Sequence, residues 1–238
     1  MPRTTRRFPA RLLAGGRTAR ARRELVRGTD LLRRGDARGA LAAFDAALHA
    51  DDRSASAWCN KAAALEILGE ARGALRCANR ATRLRPSYAP AYVTKALALA
   101  RLGNSPRALE VLEVAVTLNP RSEVAWMNKG VLLARSGKLT EAVHCYDRAL
   151  ECDEEFSLAW MNKGSALLEL GDAGEAAKCY TRVLRLRPDS AEAWYFKAKA
   201  LNAFGDREGA RVCLSRALSL RPAFPSAQAL TDRLGGRA

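Results

Sequence analysis

Histidine is nearly missing from this 238-residue chain, which has only two, His49 and His144. They stand far apart, so no paired-His spacing exists for a metal or for acid–base work. Six cysteines occur without any C-x-x-C, which removes the commonest zinc and redox motifs. Neither G-x-x-x-x-G-K-[ST] nor G-x-G-x-x-G is found, so no loop is built to cradle phosphates. No run reaches the ~20 apolar residues that a membrane-spanning helix needs. These shortages point away from an enzyme: no catalytic residue, no metal site and no cofactor is expected.

Acidic residues are also scarce, 25 against 40 Lys and Arg, for a formal charge of +15. The first 23 residues supply eight Arg and no acid, leaving +7 for the rest. That composition suits an organelle transit peptide, and Arg6-Arg7 suits a twin-arginine signal. The apolar run after the pair is only Leu12 to Gly16, however, short of the ~7–15 residues of an export signal. Residues 1–20 therefore read as a flexible basic arm, solvated or attracted to a polyanion.

What the chain does have is repetition. Stepping by 34 residues gives an aromatic column, Trp58, Tyr92, Trp126, Trp160 and Trp194, with Glu24 one step earlier. Glycine recurs at Gly35, Gly69, Gly103, Gly137, Gly171 and Gly205, and alanine at Ala40, Ala74, Ala108, Ala142, Ala176 and Ala210. Six glycines in six at one register has a chance probability of order ~10⁻⁷ at a background of roughly 7%. A looser proline column holds Pro86, Pro120, Pro188 and Pro222, with Asp52 and Glu154 in the gaps. Abundant Ala, Leu, Arg and Glu are helix formers, and apolar residues recur at three- and four-residue spacing on either side of each glycine. Each unit thus predicts two short helices: the glycine ends the first in a left-handed turn, the alanine admits close approach of the second, and proline closes the unit.

The hexapeptide AWMNKG, at 125–130 and again at 159–164, carries this pattern most fully. Together the columns resemble the tetratricopeptide repeat family, over about residues 21–224. The resemblance implies an all-α, right-handed α-solenoid of about six 34-residue helix–turn–helix repeats: 21–54, 55–88, 89–122, 123–156, 157–190 and 191–224. Residues 225–238 follow as a capping helix and tail, with Ala227, Leu230 and Leu234 on one stripe, as a solenoid end requires.

The family lines a concave groove with its first helices, just past the aromatic column. Carried onto this chain, that gives Asn60, Val93, Thr94, Leu97, Met127, Asn128, Val131, Met161, Asn162, Tyr195 and Phe196 as a peptide-binding floor. Asn can pair with a ligand backbone, and Met adapts to varied side chains. The chaperone-binding subclass would need Lys where this chain has Cys59, Val93 or Met127, so that ligand is not expected. Arg80, Arg148, Arg182 and Arg216 share a register late in the second helix. They read either as a weak polyanion-binding stripe or as cations favouring helix C-termini. Cys77, Cys145, Cys179 and Cys213 share another, too far apart for disulfides, which suits a reducing compartment. The expectation is a non-enzymatic cytoplasmic scaffold for a protein or peptide partner, with an RNA- or polyanion-associated protein as runner-up.

Overall fold

In the computed structural model, residues 10–235 are described, and side chains from residue 18 onward. Among them the regular structure is entirely helical. The chain divides into two compact units, Met1–Pro120 and Arg121–Ala238. The first unit holds three helix pairs: α1 (Ala10–Arg33) with α2 (Ala37–Ala50), α3 (Ala55–Ile67) with α4 (Ala71–Leu84), and α5 (Ala89–Arg101) with α6 (Ser105–Leu118). The second pairs α7 (Glu123–Arg135) with α8 (Leu139–Cys152), α9 (Ser157–Glu169) with α10 (Ala173–Leu186), and α11 (Ala191–Phe204) with α12 (Arg207–Leu220); α13 (Pro225–Gly235) packs on α12.

The turn inside every pair is the same device. The column glycines, Gly35 to Gly205, all have positive φ, between 77° and 100°. The next residue then bonds back across the turn, as Lys138 N does to Leu133 O at 3.0 Å and Asp172 N to Leu167 O at 2.9 Å. This six-to-one bond satisfies a helix-end carbonyl and reverses the chain. Side-chain caps fix the starts: Ser54, Ser122 and Ser190 cap first helices, while Asp36, Asn104, Asp172 and Asp206 cap second ones.

Packing within a pair follows a size rule. A Cβ at Gly28 would meet Phe44 at 2.4 Å, one at Gly130 would meet Tyr146 at 2.6 Å, and one at Gly164 would meet Tyr180 at 2.9 Å. Phe44, Tyr146 and Tyr180 are the largest fully buried side chains. At the equivalent positions the pairs are Ala62 with Ala78, Ala96 with Leu112 and Ala198 with Leu214, all 0% exposed. Glycine faces an aromatic ring and alanine faces something smaller, so each interface is filled without overlap.

The aromatic column does something the sequence pattern did not show. Its members are half-buried rather than core residues. Trp58 Nε1 donates to Asp52 O at 2.8 Å, Tyr92 Oη to Pro86 O at 2.9 Å, Trp160 Nε1 to Glu154 O at 2.8 Å and Trp194 Nε1 to Pro188 O at 2.9 Å. Each ring thus ties its helix to the backbone carbonyl six residues earlier. A carbonyl is present whatever the residue, which is why Asp52 and Glu154 can stand in the proline column.

The terminal segments also differ from a simple arm and tail. Residues 1–9 of the stretch read as an arm lie outside the described residues, whereas residues 10–20 are helical and continuous with the docked part of α1. Arg, Ala and Leu there are strong helix formers, and Ala21, buried at 7% exposure, anchors the helix just beyond them. At the other end, Ala227 is buried and Leu230 and Leu234 pack beside it on Leu214, Trp194 and Tyr195.

Candidate functional site

The first helices place the groove candidates on one face of each unit, but they do not leave all of them open. In the first unit Val93 and Thr94 are buried. Thr94 Oγ1 donates to Pro90 O at 3.1 Å and lies 3.5 Å from Cys59 Sγ. Asn60 Nδ2 donates to Thr29 Oγ1 of α1 at 3.3 Å, and Leu97 is 36% exposed. Cys59, the residue after Trp58, packs on Ala81 and Ala91 of the neighbouring elements instead of forming a floor.

The second unit repeats this and then opens. Met127 is buried on Ala149, Leu150 and Ala159, with Val131 beside it. Asn128 Nδ2 donates to Val124 O of its own helix at 2.8 Å. Met161 packs on Val183, Leu184 and Ala193. Asn162 is half-buried and has no hydrogen-bond partner among the described residues. Tyr195 and Phe196 stand edge to face at 5.3 Å; Tyr195 then meets Phe224 at 5.0 Å, and Phe196 stacks on Tyr180 at 5.8 Å.

Phe196 and Tyr180 form one wall of a cavity of about 500 Å³ between α9, α11 and α13. Leu168 and Leu230 complete its apolar surface, and Ser165, Glu169, Lys199, Asn202 and Arg233 bring polar groups to it. The Ser165 and Tyr180 hydroxyls are 3.2 Å apart, and Lys199 Nζ sits 5.7 Å from the Phe196 ring. Neither Lys199 nor Arg233 has a carboxylate partner among the described residues. An apolar hollow with a few convergent polar groups is the usual form of a ligand site. Of its lining, only Phe196 was among the sequence candidates. Ser165 and Lys199 continue the 34-residue register of Leu97 and Val131 and were legible that way; Arg233 arrives only through the docking of α13.

The arginine register is largely consumed inside the fold. Arg148 lies 5.5 Å from the Trp126 ring and pairs with Glu151 at 2.6 Å; Arg182 lies 5.7 Å from Trp160 and pairs with Glu154. Lys129 and Lys163 approach the same indoles, at 5.1 and 5.5 Å. These cation–π stacks, with Lys61 on Trp58 and Lys197 on Trp194, account for the Lys three residues after each column tryptophan. Arg216 is exposed, and Arg80 approaches Asp52 at 3.9 Å. None of the six cysteines forms a disulfide, and burial pushes the thiols of Cys59, Cys77 and Cys213 up, and that of Cys179 to about 11. Such thiols are poor nucleophiles at neutral pH. No group of His, Cys, Asp and Glu able to hold a metal occurs among the described residues, and none of their helices is long and apolar enough to cross a membrane.

Paired helices in tandem without strands define the class of helical-repeat solenoids. The tetratricopeptide repeat family model matches at 25–89, 68–123, 93–157, 127–178 and 161–227. The chain belongs to that family, whose repeats serve protein–protein interaction. No curated protein matches the chain. Similar solved structures include YrrB, described as a TPR protein with an unusual peptide-binding site, at 23% identity over 79% of this chain and 97% of that one, with a TM-score of 0.64. A chain of the APC/C hetero-tetramer Cut9–Hcn1 is 21% identical over 94% of this chain and 45% of its own length, with a TM-score of 0.80. Pseudomonas aeruginosa pilF is 19% identical over 92% of this chain and 99% of its own, with a TM-score of 0.78. At these identities the likeness is one of fold.

Proposed function

We propose that this chain is a non-enzymatic, cytoplasmic scaffold that holds a peptide segment of a protein partner on the first-helix face of its second unit. The observation that carries the proposal is the hollow between α9, α11 and α13. It joins a stacked aromatic wall to an uncommitted ammonium, guanidinium and amide. An apolar side chain of the partner packs on Phe196 and Leu230. Lys199, Arg233 and Asn202 then take its backbone carbonyls or an acidic group. Asn162, without a side-chain partner of its own, extends the polar contact along the same face, whereas Met127 supports that face from beneath. The peptide-binding site attributed to YrrB, a protein of the same fold, is in keeping with this reading.

The test is capture of partners from nuclease-treated lysate, washed at high salt, by the intact chain and by Lys199→Ala/Arg233→Ala and Asn128→Ala/Asn162→Ala variants. A defined set of proteins lost with Lys199 and Arg233 supports the anchor, and its further loss with the Asn pair supports the extended groove. Capture unchanged in both variants removes this face from the function.

A further inference from the structure

The second helix pair carries a pocket whose lining differs from the equivalent surface of its counterparts. It lies between α2, α3 and α4, away from the groove candidates, and has a volume of about 560 Å³. Trp58, Leu41 and Leu65 make its apolar side, and Arg76, Arg80 and Arg83 line it from α4. The chain supplies its own control, because the same surface recurs 34 residues at a time. In α8 and α10 the counterparts of Gly73 are Glu141 and Glu175, which pair with Lys138 at 3.2 Å and Lys178 at 2.5 Å. There the register arginines stack on the tryptophans and meet Glu151 and Glu154.

In α4 that neutralisation is weaker. Gly73 puts no acid into the pocket and leaves room: an added Cβ would meet only Leu65 and Glu70 side-chain atoms, at 3.4 Å or more. Arg80 does not stack on Trp58, and its approach to Asp52 is 3.9 Å. Arg76 and Arg83 have no carboxylate partner among the described residues. Lys61 pairs with Asp45 at 2.5 Å and lies 5.6 Å from the Trp58 ring, so Glu70 and the more distant Asp52 are the carboxylates left to oppose the three guanidinium groups.

We propose that this pocket binds a short segment of single-stranded nucleic acid, independently of any partner in the groove. A base lies on the Trp58 and Leu65 side while the backbone phosphates run along Arg76, Arg80 and Arg83. Seven residues of helix span about 10 Å, so the three cations meet more than one phosphate and favour a strand over a single phosphate group. An aromatic wall beside a cationic track is the arrangement that takes single strands with little regard to sequence. A lone phosphate would leave the apolar side of a 560 Å³ hollow unfilled.

The experiment is fluorescence anisotropy of a labelled ten-nucleotide oligouridylate against the full chain, its Gly73→Glu variant and its Arg76→Ala/Arg83→Ala variant, each across a salt series. Gly73→Glu imports the residue that the fourth and fifth repeats already carry, so thermal unfolding should stay as in the parent while affinity drops at least ~10-fold. Removing two phosphate contacts should flatten the slope of log K against log salt by about 1.4. Photocrosslinking with a 4-thiouridine strand should mark the α3 or α4 segment. Affinity equal in all three proteins, crosslinks confined to other segments, or equal displacement by a phosphoserine peptide of the same charge would each overturn the proposal.

Discussion

Gly130→Ala is a substitution that helix propensity alone would favour, by about 1 kcal/mol. The structure argues the opposite sign. The new methyl would stand 2.6 Å from Tyr146 Cε1 and 2.9 Å from Cδ1, and that ring is only 2% exposed, so it has no free space to retreat into. Overpacking of this kind costs roughly 1–3 kcal/mol, which leaves a net loss of about 0–2 kcal/mol. Tyr146→Leu alone opens a gap over Gly130 and should cost about 2–4 kcal/mol. Made together, the two changes rebuild the Ala–Leu pair found at Ala96 and Leu112 and at Ala198 and Leu214. The double variant should therefore be more stable than the two single losses predict, by about 1–3 kcal/mol of coupling. Urea unfolding followed by circular dichroism measures all four proteins, and an unchanged slope with denaturant would show that stability alone has moved. Losses that add to within ~0.5 kcal/mol would refute the size rule.

Other outcomes follow from the same architecture. Gly137→Val, at φ +77°, should destabilise by more than ~1 kcal/mol, and an unaltered melting curve would contradict the turn. Trp160→Phe should lose only about 1 kcal/mol with the bond to Glu154 O, whereas Trp160→Ala should approach ~3 kcal/mol; equal losses would mean that the packing of the ring contributes nothing beyond its hydrogen bond. Burial pushes the Tyr146 and Tyr180 hydroxyls up to about 12, while the unfolded chain ionises near the ordinary value of 10. Their contribution is whole below pH 10 and is lost as pH rises toward 12. The melting temperature should thus fall across that interval, less so in Tyr146→Phe/Tyr180→Phe, and an equally steep fall in the variant would assign the effect to other groups.

Local rules made much of this protein readable from its letters. A left-handed glycine and an apolar stripe act within a few residues of themselves, so Gly137 and the stripe of α8 could be placed before any fold was known. The 34-residue period then multiplied each weak signal. The groove was harder, because family register puts a residue on a helix face but does not say how closely the next pair covers it. Val93, Thr94 and Met127 carry the expected register and are buried; Asn162 and Phe196 carry it and remain accessible.

The sequence by itself therefore determined the helices, their turns and their pairing, since hydrogen bonds at those sites close over a handful of neighbours. Tertiary structure decided what each repeated position does. Whether an arginine of this register stacks on an indole, as Arg182 does, or lines a pocket, as Arg80 does, and whether Lys199 meets Arg233 across a cavity, depends on groups dozens of residues away in the chain. Packing and charge are summed over space, and the same letter in the same register acquires a different role when its neighbours change.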